Sequence, residues 1–174
     1  MSEQAAHRAE EAPFGDDEIF FSRTDERGVI LAANEVFQRI SGYGWDRLIG
    51  APHRLVRHDD TPKAVFHLMW DRLRNGEPIA AYVKNRAEDG RYYRVLALAA
   101  PTADGFLSVR IKPLSDTSRM AEEIYAELHA AEREGWKPDE NGHEALLALL
   151  NDRGFANYAQ FAAKAVMDVI GGES

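Results

Sequence analysis

Apolar and polar positions alternate in two short runs near the start of the chain, Ile19 to Thr24 and Val29 to Ala32, with Asp25-Glu26-Arg27-Gly28 between them. An acid-glycine turn between two such runs predicts a β-hairpin. Asn34 then opens a short helix with Val36, Phe37 and Ile40 turned inward and Gly42 at its end, and Trp45 to Ile49 adds a turn closed by Gly50-Ala51-Pro52. The most strongly patterned helix follows. Asp60 or Thr61 as side-chain N-cap, with Pro62 in the first turn, predicts its start, and Asn75-Gly76 predicts its stop after about Arg74. Phe66, Met69, Trp70 and Leu73 fall at i, i+3, i+4 and i+7, so two aromatics, a thioether and a leucine share one inward face. Such a stripe serves an ordinary core as well as a ligand wall. Three strand candidates come next, Ile79 to Asn85, Arg91 to Ala100 and Phe106 to Lys112, separated by turns at Glu88-Asp89-Gly90 and Ala103-Asp104-Gly105.

Two strands, several short helices and three antiparallel strands predict an α+β domain over residues 18–113, a five-stranded antiparallel sheet with short helices on one face. Residues 1–17, rich in Ala, Glu and Gln, are expected to be a tail or a short helix. Residues 114–174 read as an all-helical extension. Ser115 or Asp116 caps a helix with Met120, Ile124 and Leu128 on one stripe, ended by Gly135-Trp136-Lys137-Pro138. A second helix runs from about His143 to Arg153, capped by Gly154, and a third from about Ala156 to Ile170, with Tyr158, Ala162, Ala165 and Val169 on a seam. These helices either cover the back of the sheet or form a dimer or partner surface.

Composition narrows the function. A net charge of −8 over 174 residues argues against a general nucleic-acid or anionic-membrane binder. No apolar run is long enough for a membrane span or reads as a signal peptide, so a cytoplasmic protein is expected. With no cysteine there is no disulfide, thiolate metal site, c-type haem attachment or cysteinyl-flavin photochemistry. His53, His58 and His67 do not fall at metal-ligand spacing, and His7, His129 and His143 read as solvated. No nucleophile stands with a base at hand, and Gly42-Tyr43-Gly44 and Gly171-Gly172 are not phosphate loops. The chain is therefore expected not to be an enzyme.

Candidate chemistry concentrates between Pro52 and Trp70, where a cationic loop with Arg57 and His58 runs into the aromatic helix. A ligand with a planar apolar part and an anionic part would find both partners there. Motifs along the chain sharpen this: Ala33-Asn34-Glu35-Val36-Phe37 with Ser41-Gly42-Tyr43, Leu48-Ile49-Gly50 with Pro52-His53, and Leu55-Val56-Arg57-His58 followed by Asp60 and Pro62-Lys63-Ala64. Met69-Trp70, Val83-Lys84-Asn85-Arg86, Asp89-Gly90 with Tyr92-Tyr93, and Ser108-Val109-Arg110 continue the series. In this order they resemble the PAS domain of bacterial aerotaxis (energy-taxis) receptors, from about Ile19 to Pro113. The resemblance implies the PAS fold, non-covalent FAD and redox sensing rather than catalysis. It implies flavin-associated roles for Asn34, Arg57, His58, Asp60, Trp70 and Asn85. The chain departs from the pattern at Asp59 and Thr61, where proline and methionine are common, and along Arg94 to Ala100, where Leu96 and Leu98 stand on a strand usually more polar. A b-type haem on His53, His58 or His67, or no cofactor, is the alternative. With no kinase motif in these residues, the signal is expected to leave by contact with a chemoreceptor or another signalling protein, from a homodimer, through the helices after Pro113.

Overall fold

The computed structural model of the chain describes residues 10–135 and 137–171. Trp136, His7, Gly172 and the first half of the expected N-terminal tail lie outside them. Five strands form one antiparallel sheet in the order β2-β1-β5-β4-β3: β1 Phe20–Thr24, β2 Ile30–Ala33, β3 Ile79–Arg86, β4 Tyr92–Thr102 and β5 Gly105–Ile111. Between β2 and β3 run α1 (Glu35–Ser41), α2 (Trp45–Leu48), a 3₁₀ turn (His53–Val56) and α3 (Lys63–Arg74); α4 (Asp116–Arg133), α5 (Pro138–Asp152) and α6 (Tyr158–Ile170) follow the sheet.

The two-residue period of the strands decides which side chains meet. Ser22 pairs with Ser108, Thr24 with Phe106, Ala99 with Ser108, Ala97 with Arg110, Val83 with Val95 and Asn85 with Tyr93, so these residues share the inner face. Leu96 and Leu98 have the opposite parity, opposite Tyr82 and Ala80, and point away from the short helices. The β4–β5 turn is tight because Gly105 has φ +153°, and a Cβ there would lie 2.0 Å from the Thr24 carbonyl oxygen.

A sheet edge leaves backbone groups without strand partners, and here side chains and loop meet them. On β3 the carbonyl oxygens of Ala80, Tyr82 and Lys84 accept from the hydroxyls of Tyr158 on α6 (2.9 Å), Tyr125 on α4 (2.8 Å) and Thr61 (3.1 Å). The Lys84 N–H in turn donates to the Thr61 hydroxyl at 2.9 Å. At the other edge the Ile30 N–H donates to Ala51 O (2.9 Å), and Ile30 O accepts from the Gly50 N–H (2.8 Å). One loop, Gly50 to Thr61, thus touches both margins of the sheet and closes it over the inner face.

Three expectations need correction. Neither Asp60 nor Thr61 caps α3: Pro62 stands at the N-cap without a side-chain bond, because the Thr61 hydroxyl is committed to β3. The first free N–H groups are instead reached by the Glu132 carboxylate of α4, which accepts from Ala64 N–H at 3.2 Å. The helix expected from His143 begins at Pro138, whose fixed φ suits the first helical position. Residues 10–15 are neither helix nor loose tail: Ala12 N–H donates to Tyr92 O (2.7 Å), Tyr92 N–H donates to Glu10 O (3.1 Å), and the Phe14 ring packs edge-on against Phe20.

Thr61→Val keeps the shape and leaves the part-buried Lys84 N–H without its partner. Urea denaturation is expected to show a loss of about 1–3 kcal/mol, with an unchanged denaturant slope.

Candidate functional site

Between the inner face of the sheet and α3 lies a cavity of about 130 Å³, roughly ten times what one water needs. Its wall from α3 is Phe66, Met69, Trp70 and Leu73, the same stripe that the helical spacing picks out. Its floor from β4 is Ala97 and Ala99, with Val83 and Asn85 from β3 and Phe106, Ser108 and Arg110 from β5. The small floor makes the room, since the bulky Leu96 and Leu98 are on the other face. Trp70 is clamped: its indole meets Phe106 edge-on at 5.5 Å, Arg74 lies over it at 5.6 Å, and a Cβ on Gly28 would come within 3.0 Å of it.

The polar groups of the cavity are few and placed. Arg110 is 3% exposed, with Nη2 donating to Ser22 Oγ at 3.0 Å and to His53 Nε2 at 2.5 Å, and its guanidinium lies 5.0 Å from the Phe37 ring centroid. The His53 ring faces inward against Phe37, and burial together with the Arg110 charge pushes its pKa from 6.5 to about 3, so it is neutral and accepts from Arg110. Burial lowers Arg110 itself to about 10, still charged at neutral pH. Two donors at this cavity, Arg110 Nη1 and Asn85 Nδ2, have no hydrogen-bond partner among the described residues. Half-buried Arg57 completes the lining, its guanidinium 3.9 Å from the Phe66 ring centroid and near enough to Asp59 and Glu132 to feel both charges.

Of the six residues implied by resemblance, the structure gathers Arg57, Trp70 and Asn85 around the cavity. The other three stand elsewhere. Asn34 caps α1, its Oδ1 accepting from Phe37 N–H and Phe21 N–H (both 3.2 Å) while Nδ2 donates to Ile19 O at 2.8 Å. That amide pins α1 to β1 and lies outside the cavity lining. His58 Nδ1 accepts from the Asp60 N–H at 3.1 Å, and burial and the Lys84 charge hold its pKa below the usual imidazole value. Asp60 is paired with Lys84 at 2.5 Å and lines a second cleft, between the outer face of β3–β4 and α4. Conversely, spacing arguments passed over Arg110, Ser22 and Phe106 as site residues. A cation at inward parity on a strand, Phe106-x-Ser108-x-Arg110, was the available signal. Among the described residues no group of three or more His, Asp or Glu is placed to hold a metal.

A cupped antiparallel sheet with short helices closing a cavity over its inner face defines a PAS domain, and residues 30–107 match the PAS fold family. The domain resembles that of the aerotaxis receptor of Escherichia coli (strain K12), with 37% identity over 135 residues, covering 75% of this chain and 27% of the receptor. The nitrogen fixation regulatory protein of Klebsiella pneumoniae is 34% identical over 77 residues, 44% of this chain and 16% of that protein. The chain thus spans about a quarter or less of these relatives. Among solved structures, the Rhodobacter sphaeroides LOV protein has the same fold over 98% of both chains, at 18% identity and TM-score 0.54.

His53 is neutral when folded and titrates at its ordinary value when unfolded, so between pH 6.5 and about 3 the unfolded chain binds one more proton. Its contribution to stability is present above pH 6.5 and lost as pH falls toward 3. Urea denaturation from pH 6 down to pH 4 is therefore expected to show wild type losing about 1.4 kcal/mol per pH unit more than His53→Gln.

Proposed function

We propose that this chain is a cytoplasmic, non-enzymatic redox or energy-state sensor that holds FAD non-covalently in the PAS cavity and signals by protein contact. The observation that carries the reading is the pair of unpartnered buried donors, Asn85 Nδ2 and Arg110 Nη1, at a cavity walled by Trp70, Phe66 and Met69. An aromatic and thioether wall suits a flat ring, and two stranded donors suit its acceptor edge. Arg57 supplies a cation for the phosphate part. Bound flavin supplies reversible electron transfer coupled to protonation. Haem is the weaker reading, because His53 Nε2 is engaged by Arg110 and His58 and His67 are outside the cavity lining.

The route outward runs through two elements that touch both ligand and output helices. β3 carries Asn85 on its inner face while its edge carbonyls at Ala80 and Tyr82 are held by Tyr158 of α6 and Tyr125 of α4. α3 carries the aromatic wall while its N-terminus is held by Glu132 of α4. A change in hydrogen bonding at Asn85, whose amide offers either donor or acceptor, would bias how α4 and α6 dock if the two states lie within a few kcal/mol. A chemoreceptor or another signalling protein is the proposed partner. A homodimer is supported by an apolar groove between Leu98, Leu107 and Val109 of the sheet and Val166 and Met167 of α6.

Purified protein incubated with FAD is expected to take on the two-banded blue and near-ultraviolet absorption of bound flavin. Trp70→Ala and Arg57→Ala should each lower occupancy with unchanged far-ultraviolet circular dichroism. A wild-type protein that stays colourless defeats the flavin reading, and a Soret band replaces it with haem. Hydrogen exchange on the oxidised and reduced forms is expected to change in residues 116–170; protection that changes only around the cavity excludes α4 to α6 as the output.

A further inference from the structure

A guanidinium taken out of water is normally balanced by a carboxylate, and Arg110 is not. Among the described residues no Asp or Glu lines the cavity. The titratable groups set against Arg110 are neutral His53 from the 3₁₀ turn and the Tyr93 hydroxyl from β4, and the cavity's other charged lining residues are Arg54 of the same turn and Arg57 just after it. Tyr93 is kept protonated by burial, and its hydroxyl has no partner among the described residues. From α3 and β3 come only uncharged side chains, including Asn85. The neighbourhood is therefore cationic and incomplete, with Nη1 the unsatisfied end of the charge.

We infer, on the reading that the cavity holds a flavin, that Arg110 is the residue that sets the charge of the reduced ring, supplying the positive charge that a second proton would otherwise bring. Two electrons from an external low-potential donor and one proton from solvent enter the ring, and the second proton stays in solvent because the guanidinium already balances the negative charge. Ser22 and His53 hold Nη2, which leaves Nη1 as the arm toward the ligand. Neutral His53 is an acceptor for Arg110 rather than a competing cation. The consequence is a sensor that favours the reduced state electrostatically and whose potential depends weakly on pH. Arg110 is a positioning and selecting residue in this scheme, with no proton of its own to transfer.

The test is anaerobic reductive titration of the FAD-loaded full chain over a series of pH values from acid to neutral, for wild type, Arg110→Gln and Arg110→Lys. Wild type is expected to follow one proton per two electrons throughout. Arg110→Gln is expected to change to two protons per two electrons on the acid side and to lose tenfold or more of the preference for reduced over oxidised FAD. Arg110→Lys, which restores the charge, should keep the one-proton slope. A wild-type slope of two protons, or a folded, flavin-loaded Arg110→Gln with the wild-type slope, overturns the role of Arg110 and leaves the flavin reading standing. A wild type that takes up no FAD overturns that reading and this inference with it.

Discussion

A positive charge held inside a protein without a negative one beside it governs the cavity of this PAS domain. Arg110 is almost wholly buried on β5, braced by Ser22 and His53 and laid over Phe37, and it keeps one guanidinium nitrogen unspent. Desolvating such a group costs several kcal/mol, which the bonds to Ser22 and His53 and the contact with Phe37 offset in part. Every other lining side chain is apolar, aromatic, a small hydroxyl, an amide, a neutral imidazole or another cation. The same low-dielectric setting that makes the unpaired charge expensive makes it selective, since an electron-rich edge is favoured there far more than in water.

The elements that line the cavity also contact the C-terminal helices. α3 faces the cavity with Phe66, Met69 and Trp70 and also packs against α5, while Glu132 reaches back from α4 to its first turn. β3 has cavity residues on one side and tyrosine hydroxyls of α4 and α6 along its margin. Any shift of α3 or β3 by a fraction of an ångström is therefore felt at discrete hydrogen bonds rather than across a soft surface.

Much of this was legible in the sequence, for identifiable reasons. The β-hairpin, the α3 stripe and the order of strands follow from periodicity and from acid-glycine turns, which are local signals. The strand alternation also held: residues two apart share a face, so Leu96 and Leu98 go outward together and Ala97 and Ala99 go in. What was not legible depended on distant groups competing for one atom. Thr61 looks like an N-cap until Lys84 is brought beside it. The partners of Asn34 and Asp60 were equally hidden, since Ile19, Phe21 and Lys84 are brought beside them only by the fold. Arg110 was passed over because a charged residue on a strand reads as solvent-facing, although its parity with Phe106 and Ser108 sets it inward.

The hydroxyls along β3 and the loop backbone along β2 carry one further consequence. An exposed strand margin is a template on which another chain can lay down a strand, and long free margins invite runaway pairing. Here the carbonyls at Ala80, Tyr82 and Lys84 and both backbone groups of Ile30 are already engaged within the molecule. Cross-chain strand addition at those positions would first have to displace an internal bond for each one it made. The sheet margins are thereby kept from serving as open templates at those positions, and strand exchange between two backbones is disfavoured there.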